Sequence, residues 1–270
     1  MLNISTYKNE VLKLGPTGDP IYSGANVTQI GEPIGMFYGW ISDGIFMNAE
    51  ELAAGPIYGA GTKNSSQMGD VRWKDISGPD GVPDGVIDTR DRTIMGTPYP
   101  DFYYSMTNRF SYSNFSLNVS LQGSYGNEIF SEARVGATNG RGTRVRMMAL
   151  MRNYWKSPEE PGDGKSNSFR PNDSPNGNNR GAFNDRYLDT GTFLRFNNIT
   201  FSYQVPSQLA SKLGMSSCRL YASSNNAITI SKNASFNPEV SARDSNLQPG
   251  NDLNDFPIPK SLILGLNVEF

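Results

Sequence analysis

The run Phe115 to Gly123 (FSLNVSLQG) alternates without error. Phe115, Leu117, Val119 and Leu121 take one phase, and Ser116, Asn118, Ser120 and Gln122 take the other. Successive side chains of a β-strand point to opposite faces, so this run predicts a strand with one oily and one polar side. The run before it, Phe102 to Tyr112 (FYYSMTNRFSY), repeats the pattern. Phe102, Tyr104, Met106, Phe110 and Tyr112 share a face broken only by Asn108, opposite Tyr103, Ser105, Thr107, Arg109 and Ser111. Ser113 and Asn114 lie between the two runs as a turn, and an antiparallel hairpin follows.

The last residues, Leu262 to Phe270 (LILGLNVEF), carry the pattern again. Leu262, Leu264, Leu266, Val268 and Phe270 face one way, and Ile263, Gly265, Asn267 and Glu269 the other. A strand of a soluble sandwich can alternate in this way. A long apolar phase ending on Phe is also the habit of barrels that cross a bacterial outer membrane, where lipid-facing residues alternate with lumen-facing ones. The hairpin favours the barrel. An arginine among hydroxyls and amides suits a water-filled lumen, and aromatics at strand ends suit the girdles where a barrel meets the headgroups. The expected fold class is therefore all-β, an antiparallel transmembrane β-barrel segment forming part of a wall. Leu117, Val119, Leu121, Leu264, Leu266 and Val268 are expected to face lipid, and Asn118, Ser120, Gln122 and Asn267 the lumen.

Composition agrees once its blind spot is recognised. A hydrophobic content of 37% with a mean hydropathy of −0.49 ordinarily reads as soluble. In a barrel, however, only one face of each strand is apolar, so no long apolar window arises. The 24 basic and 26 acidic residues are interspersed, and no basic stripe offers itself to nucleic acid. The single Cys218 allows no internal disulfide and is expected on a lipid-facing position beside Leu220 and Ala222. The absence of histidine removes Ser-His-Asp and Cys-His nucleophiles and most zinc sites. Residues Leu2 to Glu10 lack the basic start and apolar stretch of a signal peptide. Since a barrel needs export, the chain is expected to be a carboxyl-terminal part of a longer precursor.

Short strands alternate with long polar segments. Strands are expected over Asn3–Leu14, the hairpin, Thr192–Val205, Ser217–Ile230 and the terminal run, with about six strands of the parent barrel supplied. A short helix over Ser207–Leu213 is expected to be capped by Ser207 and stopped by Gly214. Another is expected over Arg144–Trp155. Long loops at 15–101, 124–189 and 232–259 alternate with short turns at Ser113 and at 206–216, the asymmetry outer-membrane barrels show between their outer loops and inner turns.

One chemical motif stands in the first loop. Asp80 to Asp91 (DGVPDGVIDTRD) matches the spacing of a calcium loop. Asp80, Asp84, the Val86 carbonyl, Asp88 and Asp91 are the candidate ligands, Gly85 takes the sharp turn, and Ile87 is the apolar anchor. Calcium requires several hard oxygens, and four carboxylates and a carbonyl in this spacing can surround one point. Two departures leave a plain acidic turn as the competing reading: Val82 offers no side-chain oxygen, and Asp91 stands where a bidentate Glu is usual. The pairs Glu50/Glu51 and Glu159/Glu160 read as solvated carboxylates, and no catalytic residue is expected. Trp40, Trp73, Trp155, Tyr38, Tyr58 and Tyr99 lie in the long loops, where packing is the expected role and stacking on sugar rings the alternative.

A resemblance runs along nearly the whole chain. It is carried by GEPIGMFYGWISDGIF at 31–46, GDVRWKDISGPDGVPDGVIDTRDRTIMGTPYPDF at 69–102 and FSYSNFSLNVSLQGSYGNEIF at 110–130. It continues through YWKSPEEPGD at 154–163, RYLDTGTFLRFNNITFSYQVPSQL at 186–209, LYASSNNAITI at 220–230, FNPEVS at 236–241 and FPIPKSLILGLNVEF at 256–270. In this order these stretches resemble the carboxyl-terminal portion of SusC/RagA-type TonB-linked outer-membrane transporters of Bacteroidota. The resemblance implies an outer-membrane location and import of glycans or other oligomeric nutrients such as peptides. It also implies partnership with a SusD-like surface lipoprotein, and coupling to the TonB complex through an amino-terminal region these residues do not contain. The competing class is a soluble all-β glycan-binding or adhesin domain.

Overall fold

The computed structural model describes residues 1–58, 65–132, 134–135, 153–170, 183–232, 237–239, 245–253 and 256–270. Its dominant element is a six-stranded sheet whose strands follow one another in chain order. These are β1 (Leu2–Ser5), β2 (Phe102–Tyr112), β3 (Phe115–Tyr125), β4 (Phe193–Gln204), β5 (Ser217–Ser231) and β6 (Ser261–Glu269). Every neighbouring pair is antiparallel. The first strand is shorter than expected: the chain leaves the sheet after Ser5. β2 and β3 are 11 residues each, a length that crosses a bilayer when tilted.

The register puts the alternation to work. Leu117 pairs with Phe110 and Phe201, and Val119 with Asn108 and Ile199. Leu264 pairs with Ala222, and Leu266 with Leu220. On the other face Asn118 lies between Arg109 and Thr200, Ser120 between Thr107 and Asn198, and Asn267 beside Arg219. Each group of residues expected to share a face does so. One apparent fault in the pattern is also resolved. In FLRFNNITFSY the apolar phase breaks between Phe196 and Ile199. The register slips there, with Phe196 opposite Ile228 and Asn198 opposite Asn225. The bulge takes up Asn197, so Leu194, Phe196, Ile199, Phe201 and Tyr203 keep one face.

Connections alternate in length as expected. Ser113, in the left-handed region at φ 52°, and Asn114 turn β2 into β3; left-handed backbone matches the strand twist of such tight hairpins. A short helix, Ser207–Lys212, joins β4 to β5. Its cap is not Ser207: the Pro206 carbonyl accepts from Ala210 N at 3.1 Å, and no side chain caps the end. Because Pro206 begins the turn, Ser207 falls inside it. Gly214, at φ 72°, ends it as expected. The expected helix over Arg144–Trp155 lies, apart from its final residues 153–155, outside the described residues.

The long connections leave from the opposite ends of the strands and fold. Ile21–Ser23, Asn26–Thr28, Met36–Gly39 and Thr93–Gly96 form a four-stranded sheet. Glu128–Ser131 joins Leu188–Thr190 and Asn251–Asp252, so segments of two loops share a sheet. Trp40, Ile45, Val71, Trp73, Trp155 and Phe169 lie in one buried cluster, and Ala25, Phe37, Phe130 and Tyr187 form a second. The Arg186 guanidinium lies 4.4 Å over the Phe169 ring and 5.4 Å from that of Tyr187, bridging the two. Gly39 shows how closely the loops meet: a Cβ there would stand 2.2 Å from the Phe183 carbonyl oxygen, so only glycine fits.

The packed core thus lies in the loops. The oily face of the sheet is largely bare, with Leu262 and Leu264 74% and 76% exposed. A soluble sandwich would cover such a face with a second layer. Phe110, Phe201, Leu220 and Leu266 on the same face are also exposed, and an apolar surface this continuous belongs against another apolar medium. At the rim Cys218 is buried beside the 207–212 helix, on the expected oily phase. No described helix is long and apolar enough to cross a membrane, a fact that does not bear on strands.

Candidate functional site

The polar face of the sheet is a network of hydroxyls and amides. Ser116 and Ser202 share a hydrogen bond of 2.7 Å, and Thr107 and Ser120 one of 3.2 Å. Asn198 donates to Ser223 at 2.9 Å and to Asn225 at 2.8 Å. Arg219 donates to Ser202 at 3.0 Å. Arg109 and Arg195 stand on the same face, opposite Asn118 and Gln122. A face that carries three arginines is too costly to turn toward hydrocarbon. It faces water, and the loop segment 237–239 folds against it. There Glu239 pairs with Arg195 and accepts from Gln122 at 3.1 Å.

Where loops meet this face there is a cavity of about 520 Å³. Tyr103, Ser105 and Gln122 of the sheet supply its floor, and Tyr7, Tyr99 and Glu239 close its sides. Tyr7 stands edge-on to Tyr99 at 5.9 Å between centroids and nearly parallel to Tyr103 at 6.2 Å. Tyr99 donates to the Ile34 carbonyl at 2.7 Å, which fixes its ring. Burial, and then the neighbouring Tyr103 phenol, pushes the Tyr7 hydroxyl above its ordinary pKa. Burial does the same to Tyr99. Both therefore stay neutral hydrogen-bonding groups at physiological pH. Of the loop aromatics singled out in the sequence, Tyr99 reaches this cavity, while Trp40, Trp73 and Trp155 pack in the first cluster. Gln122 was expected to face the lumen, while Tyr7 carried no such signal. Tyr103 did: it is the large aromatic on the polar phase of β2, among Ser105, Thr107 and Arg109.

The acidic loop has a different geometry from a calcium cage. Asp91 is fully buried and accepts from Ile76 N at 2.9 Å, Ser77 N at 3.2 Å and Asp88 N at 2.7 Å. Asp88 caps the turn Thr89–Asp91, accepting from Arg90 N at 2.7 Å and pairing with the Arg90 guanidinium at 2.8 Å. Asp84 accepts from Val86 N at 2.9 Å. Asp75, outside the motif, takes Gly85 N at 2.6 Å. Asp80 is exposed. These carboxylates serve separate turns, and among the described residues no three candidate side chains gather to hold a metal. Asp-Gly and capping turns use the same residues at intervals similar to those of a calcium loop.

At the two ends of the oily face stand aromatics. Phe102 stacks on Tyr125 at 5.3 Å at the loop end, and Phe115 meets Phe201 at 5.7 Å and Tyr203 at 4.8 Å at the turn end. Between them lie Met106, Leu117, Val119, Leu121 and Ile199. Aromatic girdles around an aliphatic band, a wet inner face, and long loops opposite tight turns define the wall of an outer-membrane β-barrel.

Known proteins place the wall more narrowly. No family model matches the chain. TonB-dependent receptor P3 of Formosa agariphila is 29% identical over 99% of the chain, which covers 26% of that receptor. TonB-dependent receptor SusC of Bacteroides thetaiotaomicron is 26% identical over 69% of the chain and 17% of the receptor. The RagAB peptide importer in its open-open state superposes over the whole chain with a TM-score of 0.72 at 19% identity, the chain covering 26% of the importer chain. The chain spans about a quarter of the length of the TonB-dependent receptor P3 that it matches. The chain is thus similar along nearly its whole length to TonB-dependent receptors, SusC among them over two thirds of it, and its sheet has the fold of the matching part of the RagAB importer chain.

Proposed function

We propose that the chain forms wall strands and outer loops of a TonB-dependent importer that carries an oligomeric nutrient, glycan or peptide, across the bacterial outer membrane. The observation that carries this reading is the division of one sheet into a bare oily face and an arginine-bearing wet face roofed by folded loops. Such a surface lines an aqueous route through lipid. The names of the related receptors and the peptide importer that shares the fold support import over catalysis. In this reading energy arrives from the TonB complex through another part of the polypeptide, and a SusD-like surface lipoprotein meets the outer loops. The test is uptake of labelled oligosaccharides and peptides by cells carrying the full-length receptor. Uptake should depend both on the receptor and on TonB. Uptake that persists without TonB, or none of either nutrient class, would overturn the proposal.

Calcium at Asp80, Asp84, the Val86 carbonyl, Asp88 and Asp91 is a separate proposal. The ion would have to draw Asp84, Asp88 and Asp91 off their backbone partners. The turn geometry favours the cation-free reading, and calorimetry at millimolar calcium separates the two.

A further inference from the structure

We infer that a second cavity, at the loop end of the oily face, holds a zwitterionic aminophospholipid. The cavity measures about 830 Å³ and lies where β2 to β5 end against the loop sheet of Glu128–Ser131 and Leu188–Thr190. Its floor is apolar. Tyr104, Leu194 and Ile230 line it and stand in one row across four strands, with Gly123 between the first two. Gly123 leaves a dip in the row, and the Tyr104 ring fills it: a Cβ there would come within 2.5 Å of that ring. The Tyr104 hydroxyl donates to the Phe193 carbonyl at 3.0 Å, which fixes the ring in place. This row adjoins the Phe102–Tyr125 stack, the depth at which an aromatic girdle marks the change from hydrocarbon to headgroups. What enters from this side is an amphiphile of the membrane, because the water-filled route lies on the other face of the wall.

The loop side of the cavity selects the head. Asp101, Glu128, Asp185 and Asp189 line it, against Lys232 as the one cation among the described lining residues. Asp189 is already paired with Arg134 at 2.5 Å. Glu128 accepts from Thr97 N at 2.6 Å, a partner without charge, and burial raises its pKa above the ordinary carboxylate value. Asp101 is exposed, and no ion pair among the described residues holds it. The lining is therefore short of positive charge. A purely anionic head is repelled there, whereas an ammonium group finds charge-assisted acceptors in the carboxylates. Lys232, at the end of β5, answers the phosphate that accompanies the ammonium in a zwitterionic head. The acyl chains continue from Leu194 and Ile230 onto the next row of the oily face, Met106, Leu121, Phe196 and Ile228. One molecule thus meets both halves of the cavity, the head on the loops and the chains on the wall.

The experiment is native mass spectrometry of the purified full-length receptor in detergent, with phosphatidylethanolamine or phosphatidylglycerol of the same acyl chains added. The parent should hold phosphatidylethanolamine about tenfold more tightly than phosphatidylglycerol, the worth of one charge-assisted contact. Asp101→Asn combined with Glu128→Gln keeps the shapes and the acceptor for Thr97 N while removing charge, and should erase that preference. Leu194→Trp crowds the floor with a residue that membrane interfaces tolerate, and should weaken retention of phosphatidylethanolamine about tenfold by the same measure. Phosphatidylglycerol held as tightly as phosphatidylethanolamine by the parent, or retention unchanged in either variant, would overturn the inference. TonB-dependent uptake by cells carrying the same receptors keeps this reading apart from import: a receptor that imports yet shows no lipid preference sinks the lipid site alone.

Discussion

At the scale of single residues, buried carboxylates show how this chain turns acidic sequence into structure. Asp91 satisfies three backbone N–H groups from a fully buried position. Removing it strands those donors, at about 1–3 kcal/mol for a buried unsatisfied group. Asp91→Ala should therefore speed amide exchange at Ile76, Ser77 and Asp88 in the full-length receptor, while β2 and β3 stay protected. Unchanged exchange would show that the turn does not rest on this residue. Asp185 offers a test by pH. Burial raises its pKa above the ordinary aspartate value, against the hydrogen bond it accepts from Ser42 N at 2.9 Å. A carboxyl with a raised folded pKa is held in its costlier, charged form at neutral pH. That cost is relieved as pH falls through the folded value toward the unfolded one. Asp185→Asn keeps an oxygen for Ser42, so it should equal or exceed the parent in protection of the Ser42 amide at pH 7. The difference should close as pH falls through the carboxylate range, and a gap that widens on acidification would contradict it.

At the scale of elements, what was legible in the sequence was whatever period two controls. The phase of β2, β3 and β6 is local, since each residue's face follows from its neighbours alone. The oily and wet sets could therefore be assigned before any pairing was known. The bulge at Asn197 falls where the alternation of β4 breaks, but its register depends on β5 and follows from no local pattern. Less legible were features set by distant contacts. The 237–239 segment reaches the wall through Gln122 and Arg195, residues more than forty positions away, and no local pattern marks such a contact. The acidic motif is ambiguous for a related reason, because spacing alone does not tell turn caps from converging ligands. Two substitutions test the element-level account. Leu121→Arg on the oily face should destabilise the barrel in bilayers by about 2–4 kcal/mol near mid-membrane, while Ser120→Arg beside it, facing water, should cost far less. Comparable losses in urea unfolding would contradict the assignment of faces. Gly265 lies beneath the Tyr221 ring, where a Cβ would come within 2.1 Å. Gly265→Ala should cost about 1–3 kcal/mol by overpacking, and pairing it with Tyr221→Ala should cost less than the sum of the two changes.

At the scale of the whole molecule, the chain inverts the usual plan of a soluble domain. Its tryptophans and most of its buried phenylalanines pack in the loops, and the long strands leave their oily face open. That arrangement is consistent only if lipid supplies the missing layer and further strands pair with the edges at β1 and β6. The central claim is thus that one sheet separates lipid from water. It is tested most directly by spin labels placed one at a time at residues 117 to 122 of the full-length receptor, in a cysteine-free background reconstituted in bilayers. Accessibility to oxygen and to a water-soluble nickel chelate is then read at each position. Labels at Leu117, Val119 and Leu121 should favour oxygen, and labels at Asn118, Ser120 and Gln122 should favour nickel, with a period of two. Uniform accessibility along the strand, or the opposite phase, would contradict the account.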